Sequence, residues 1–211
     1  MNKTKLLNTK LLVRLSLLSA IGVLLFYVVA FRIPPFPEHL TYDAGDIPGL
    51  IATCAFGPLF GVLVQFLKAF LGFLVGGSKA GWVGAFANFI AGGTMAFTAG
   101  IIYSRKKTKA RAMLSLFIGS LVTAIVMGPA NYFVLLPLWG VPQNTITVAM
   151  IVPSILFTFV KFMLSSLVTF LLYKKVKNFL EEDYFTNKIK EKRIKAGTKK
   201  EKEPGLLGNT E

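Results

Sequence analysis

Lys161 is the residue of this chain that most needs a partner. It stands near the middle of the apolar run Val148 to Tyr173, where insertion scales put a lysine at about 2.5 to 3.5 kcal/mol unfavourable unless it reaches water, a partner or a ligand. A lysine facing a cavity meets that need, and this is the favoured reading; bonding to neighbouring carbonyls is the other. Asn131 lies about six residues before the end of the preceding run, about 9 to 10 Å deep at 1.5 Å per residue. Its amide offers two donors and an acceptor, which suits a heterocycle with mixed donor and acceptor edges. Interhelical bonding would use the same groups. Asn88, Gln65 and Lys68 are further polar residues within apolar runs; the last two, three apart, share a helix face and serve structure or site equally well.

The acids are few and close together. Only Glu38, Asp43 and Asp46 precede Glu181, and they share one proline-rich stretch with His39 and Tyr42. Placed there, they supply no Asp, Glu or His relay inside a span, which disfavours a self-contained proton-driven carrier. Gly72-Phe-Leu-Val-Gly-Gly-Ser-Lys79 resembles a phosphate loop, but it ends Ser-Lys where the motif needs Lys-Ser or Lys-Thr, and no strand precedes it. Hydrolysis would need a nucleophile beside a base, and the span serines have no evident partner. One histidine, one cysteine and three loop carboxylates do not make a spaced metal site. Cys54, in an apolar stretch, reads as packing. The expectation is a binding protein, neither an enzyme nor a cofactor carrier.

The elements that must position these residues are apolar runs of membrane length. Hydrophobic residues make up 54% of the 211 and charged ones 16%, with a mean hydropathy of +0.60, so the solvent such runs seek is lipid. They extend over Leu11–Arg32, Ile47–Phe56, Pro58–Val75, Trp82–Tyr103, Ala112–Leu138 and Val148–Tyr173. The second and third are parted only by Phe56-Gly57-Pro58. A tight turn there gives six transmembrane helices with both termini on one side; a kink gives five with the termini opposed.

The formal charge of +14 first suggests a nucleic-acid partner, but 20 of the 24 basic residues fall at the amino end, in Ser104 to Arg111, or after Tyr173. Six helices put all three groups on one face, which reads as cytoplasmic. Both termini are therefore expected inside, with Ile33–Asp46, Gly76–Gly81 and Trp139–Thr147 outside. Residues 1–175 form the expected membrane domain. Residues 176–211 form a basic tail that reads as a solvated helix fraying into disorder.

Taken in order, Tyr42-Asp-Ala-Gly-Asp-Ile-Pro-Gly-Leu-Ile51, Phe56-Gly-Pro-Leu-Phe-Gly61, Ala87-Asn-Phe-Ile-Ala-Gly92 and Asn131-Tyr-Phe-Val-Leu-Leu-Pro137 resemble the riboflavin-specific substrate-binding (S) subunits of energy-coupling-factor (ECF) transporters. The resemblance covers about Leu11 to Lys175. It implies an all-α, six-helix integral membrane protein of the bacterial cell membrane. Such a subunit binds riboflavin beneath an outer loop and associates with a transmembrane coupling subunit and two cytoplasmic ATPases. Asn131 and Lys161 would be polar contacts to the vitamin, with Asn88 and the segment Tyr42, Asp43 to Asp46 closing around it. The small residues of Ser16-Leu-Leu-Ser-Ala20 would face the coupling subunit, although Ser16 replaces the alanine usual at the first position. The competing readings are an S subunit for thiamine, biotin or pantothenate, a membrane-embedded enzyme, and a structural scaffold.

Overall fold

In lipid every backbone polar group must be satisfied within the protein, and helices do this segment by segment. A computed structural model describes residues 9–37, 40–76 and 81–172, and these fold mainly as helices. We number them α1 (Thr9–Val28), α2 (Asp46–Phe56), α3 (Pro58–Leu74), α4 (Gly81–Arg105), α5 (Lys109–Leu138) and α6 (Val148–Leu172). By length and composition α1, α4, α5 and α6 can each cross a membrane, while α2 and α3 are shorter. Glu38, His39, the Gly77 to Lys79 end of the phosphate-loop-like stretch and the tail after Leu172 lie outside the described residues.

The helix boundaries follow local chemistry. Gly57 separates α2 from α3 with φ 112° and ψ 174°, a region open essentially to glycine alone. Its N–H closes α2 on Thr53 O at 3.0 Å, and Pro58 takes the first position of α3, where a missing N–H leaves nothing unmet. The break is thus a turn between two helices and not a kink within one. Every residue from Asp46 to Ala55 is buried, and after Asp46 the helix is apolar but for Thr53, whose hydroxyl donates to Gly49 O at 2.9 Å. On α4, a Cβ at Gly100 would stand 2.6 Å from Pro58 Cα, so glycine is what lets α4 approach the start of α3.

The first apolar run does not stay helical to Arg32. Ala30–Arg32 (β1) leaves α1 and pairs antiparallel with Thr41–Asp43 (β2), in the register Ala30–Asp43, Phe31–Tyr42 and Arg32–Thr41. Pro34, Pro35 and Pro37 forbid helix between them, and the two-stranded ladder supplies the backbone bonds instead. Ala44 N–H extends it to Val29 O at 3.1 Å. In α5, the turn Asn131–Leu135 is a π-helix two residues after the internal Pro129, one of the recognised ways a helix accommodates a break in its ladder.

Leu50 of α2, Met95 of α4, Leu116, Met127 and Leu135 of α5 and Phe162 of α6 share one buried apolar cluster. The outer faces remain apolar as well. Leu17, Ile125, Leu167 and Leu171 are each more than half exposed, an inversion of the water-soluble pattern.

Candidate ligand site

The second hairpin strand buries Tyr42 and Asp43, while Arg32 and Thr41 stay exposed. From β2, Asp43 accepts the Gly45 N–H on Oδ1 at 3.1 Å, which turns the chain into α2, and accepts Lys161 Nζ on Oδ2 at 2.7 Å. Asn88 of α4 accepts the same ammonium on Oδ1 at 3.1 Å and donates from Nδ2 to Gly84 O at 3.2 Å. Asp46, the first residue of α2, faces two lysines: Lys68 Nζ is 2.5 Å from Oδ1, and Lys161 Nζ is 3.1 Å from Oδ2. The second contact has the distance of an ion pair without hydrogen-bond alignment. Gln65 Nε2 donates to the Asp46 carbonyl at 3.1 Å. Ser165 of α6 donates to Tyr42 OH at 3.4 Å, and the Tyr42 ring lies 4.8 Å from that of Phe31.

All four charged groups are buried. Two carboxylates and two ammonium groups cancel, and pairing of this kind is what makes enclosed charges tolerable. Lys161 is therefore held by carboxylates and an amide, a third solution beside the open cavity and the backbone carbonyls weighed from the sequence. Asp43 and Asp46, assigned there to an outer loop and its junction, reach the middle of α6.

Tyr42, Asp43, Asp46, Asn88 and Lys161 thus converge. Asn131 does not join them. Its Nδ2 donates to Met127 O at 2.7 Å and to Ser154 Oγ at 2.9 Å, and Ser154 precedes Lys161 by two helical turns, about 10 Å along the same face. That face bears Ser154, Thr158, Lys161, Ser165 and Thr169, a polar stripe down α6; Thr158 and Thr169 donate to the carbonyls of Ser154 and Ser165 at 2.8 and 2.6 Å. Phe157 lies on α6 between Ser154 and Lys161, with Phe36 edge-on to it at 5.4 Å. Ser16 and Ala20 point away from the cluster, on the exposed side of α1.

Lys68 and Gln65 stood out in the sequence without an assigned partner. A signal was available: in an antiparallel pair of helices, residues equally far from the turn face one another. Asp46 and Lys68 each lie eleven residues from Gly57, and Gly49 and Gln65 eight. A Cβ at Gly49 would indeed stand 2.6 Å from Gln65 Nε2.

The crevice beside the cluster is lined by Phe26, Lys68, Ala69, Gly72, Phe73, Ala85 and Asn88, and its enclosed part has room for about one water. A small-molecule pocket needs about 300 Å³ or more. In this arrangement the charges hold one another.

An apolar exterior around a neutral, enclosed set of charges is the construction of a multi-pass membrane protein. The family model for the substrate-specific component of ECF transporters matches residues 10–173, and the chain belongs to that family. It is 40% identical over 185 residues to the riboflavin transporter RibU of Staphylococcus aureus (strain TCH60), covering 85% of this chain and 96% of that one. It is 29% identical over 184 residues to the riboflavin transporter FmnP of Bacillus subtilis (strain 168), covering 83% and 96%. A solved S component of a bacterial ECF transporter superposes with a TM-score of 0.72 at 39% identity, covering 82% of this chain and 98% of the other. FolT bound with folic acid, at 21% identity and a TM-score of 0.56, shares the fold.

Proposed function

We propose that this S component captures riboflavin at the outer face of the cell membrane and delivers it inward with a transmembrane coupling subunit and two cytoplasmic ATPases. The observation that carries the reading is the likeness to a riboflavin transporter over 96% of that relative's length. The chain performs no covalent chemistry and holds no cofactor; the vitamin is cargo. Its apolar body lies in the bilayer, and nucleic acid is not a partner.

The chemistry of the cluster suits that cargo. The pyrimidine edge of the flavin ring carries carbonyl acceptors and an N–H donor, which Lys161 and Asp43 complement once they release each other, with Asn88 at their side. Phe36, Phe157 and Tyr42 supply aromatic surface for the tricyclic ring. Asn131 has spent both amide protons and offers Oδ1, so it meets a donor; the α6 hydroxyls suit the ribityl chain. Asp46 closes the segment from behind. Ser16 and Ala20, on the open side of α1, leave a narrow strip for the coupling subunit.

Mass spectrometry of small molecules extracted from gently purified protein, followed by titration of flavin fluorescence, tests the assignment. Riboflavin should copurify and its emission should be quenched on rebinding. Failure to retain any flavin at generous concentration would overturn it; recovery of thiamine, biotin or pantothenate would move the chain to a sister subunit.

A further inference from the structure

We infer that Lys68 is a positioning residue for ligand capture: by neutralising Asp46 it leaves Lys161 free to exchange its carboxylate partners for the ligand. This rests on the riboflavin reading above. Lys161 is shared between Asp43 Oδ2 at 2.7 Å and Asp46 Oδ2 at 3.1 Å. When it turns to a ligand, both carboxylates lose a counterion. Asp43 lies on a short hairpin strand and can itself meet a ligand donor. Asp46 cannot: its side chain is 1% exposed, inside an α2 whose first ten residues are all buried. The cation that stays with it is Lys68, at 2.5 Å and equally enclosed.

Lys68 is itself held in place. It stands one turn after Gln65 on α3, and Gln65 fixes the Asp46 carbonyl at 3.1 Å, so one face of α3 grips Asp46 by main chain and side chain together. Gly92 of α4 completes the seat, since a Cβ there would lie 2.8 Å from Gln65 Cδ and 3.1 Å from Asp46 Oδ1. The Phe26 ring covers Lys68 Nζ at 5.9 Å. Without the Lys68 charge, two carboxylates would compete for Lys161 and a ligand would have to win it from both.

The test is a double-mutant cycle read by flavin fluorescence titration of purified protein, with riboflavin as the probe and monodispersity as the check of folding. Lys68→Met, which keeps the aliphatic stem, should weaken binding by about tenfold or more in the wild-type background. In the Asp46→Asn background, where no carboxylate needs neutralising, the same substitution should change affinity by less than about threefold. Equal losses in both backgrounds would overturn the inference, because packing or direct ligand contact by Lys68 predicts them; so would no loss in either. Should Lys68→Met alone fail to fold, Asp46→Asn and Asp46→Asn/Lys68→Met still decide: a gap of about tenfold between them overturns it, near equality supports it. A wild-type protein that ignores riboflavin would instead sink the capture reading itself and this inference with it.

Discussion

Lys161 closes a neutral set of four buried charges, and its removal has two separable consequences. With methionine there, Asp43 keeps only the Gly45 N–H and Asp46 keeps Lys68, leaving one enclosed negative charge uncompensated. Breaking a buried pair from one side costs about 3 to 5 kcal/mol. Lys161→Met should therefore lower the thermal midpoint of the ligand-free protein in detergent as well as weaken flavin binding. Lys161→Met/Asp43→Asn should regain most of the lost stability and little of the binding. An unshifted midpoint for the single variant would mean that the ion pairs do not form without ligand. Lys161, Asn88, Tyr42, Asp43 and Asp46 were legible in the sequence because a polar group inside an apolar run, or in a proline-rich gap between two runs, has so little polar company. Their mutual contacts were not, since Lys161 meets an Asp43 that lies 118 residues away, and nothing periodic reports such a pairing. Asn131 was legible as a polar group, but its partner was not: Ser154, 23 residues further on, takes up one of its amide protons.

At the scale of elements, the α2–α3 hairpin sets the register on which the cluster depends. Asp46 with Lys68 and Gly49 with Gln65 are each symmetric about Gly57, so a turn of altered shape would slide both pairs together. A Cβ at Gly57 meets no atom within 4 Å, which leaves backbone strain as the whole cost of a side chain there. Gly57→Ala should lose about 1 to 3 kcal/mol of stability, seen as a lower thermal midpoint, and should weaken flavin binding along with it. A midpoint equal to that of wild type would show that the turn does not hold the positive φ. The Phe56-Gly57-Pro58 punctuation marked the break in the sequence, and the placement of the basic residues favoured a turn there over a kink. The β1–β2 ladder was not readable: three-residue strands are too short to establish an alternating pattern, and Ala30-Phe-Arg32 continues an apolar run that favours helix until the prolines intervene.

For the whole molecule, we propose that α2, with 11 residues and a length of about 16 Å, belongs to a crossing of about 30 Å. In that reading the β-hairpin supplies the difference. Asn88 is seven residues into α4 from its Gly81 end, about 10 Å along the helix, and the Lys161 ammonium joins it to Asp43; β2 therefore reaches inward by roughly that distance before α2 begins. Irregular backbone at such depth is tolerated when protein encloses it. At the other end, Pro58 packs on Gly100, only five residues before Arg105 and the basic segment that follows. The Gly57 turn thus lies toward the end of α4 that carries the basic segment; we propose that α3 returns outward from it, and that the amino end and the Arg105–Arg111 segment share the cytoplasmic side. Single cysteines test this arrangement in intact cells with a membrane-impermeant maleimide, the native Cys54 being buried. Gln143→Cys, exposed between α5 and α6, should label from outside. Lys10→Cys and Lys106→Cys, also exposed, should label only after permeabilisation. If Lys10→Cys and Lys106→Cys instead fall on opposite sides, the α2–α3 pair does not return across the bilayer, and the six-crossing topology gives way to five.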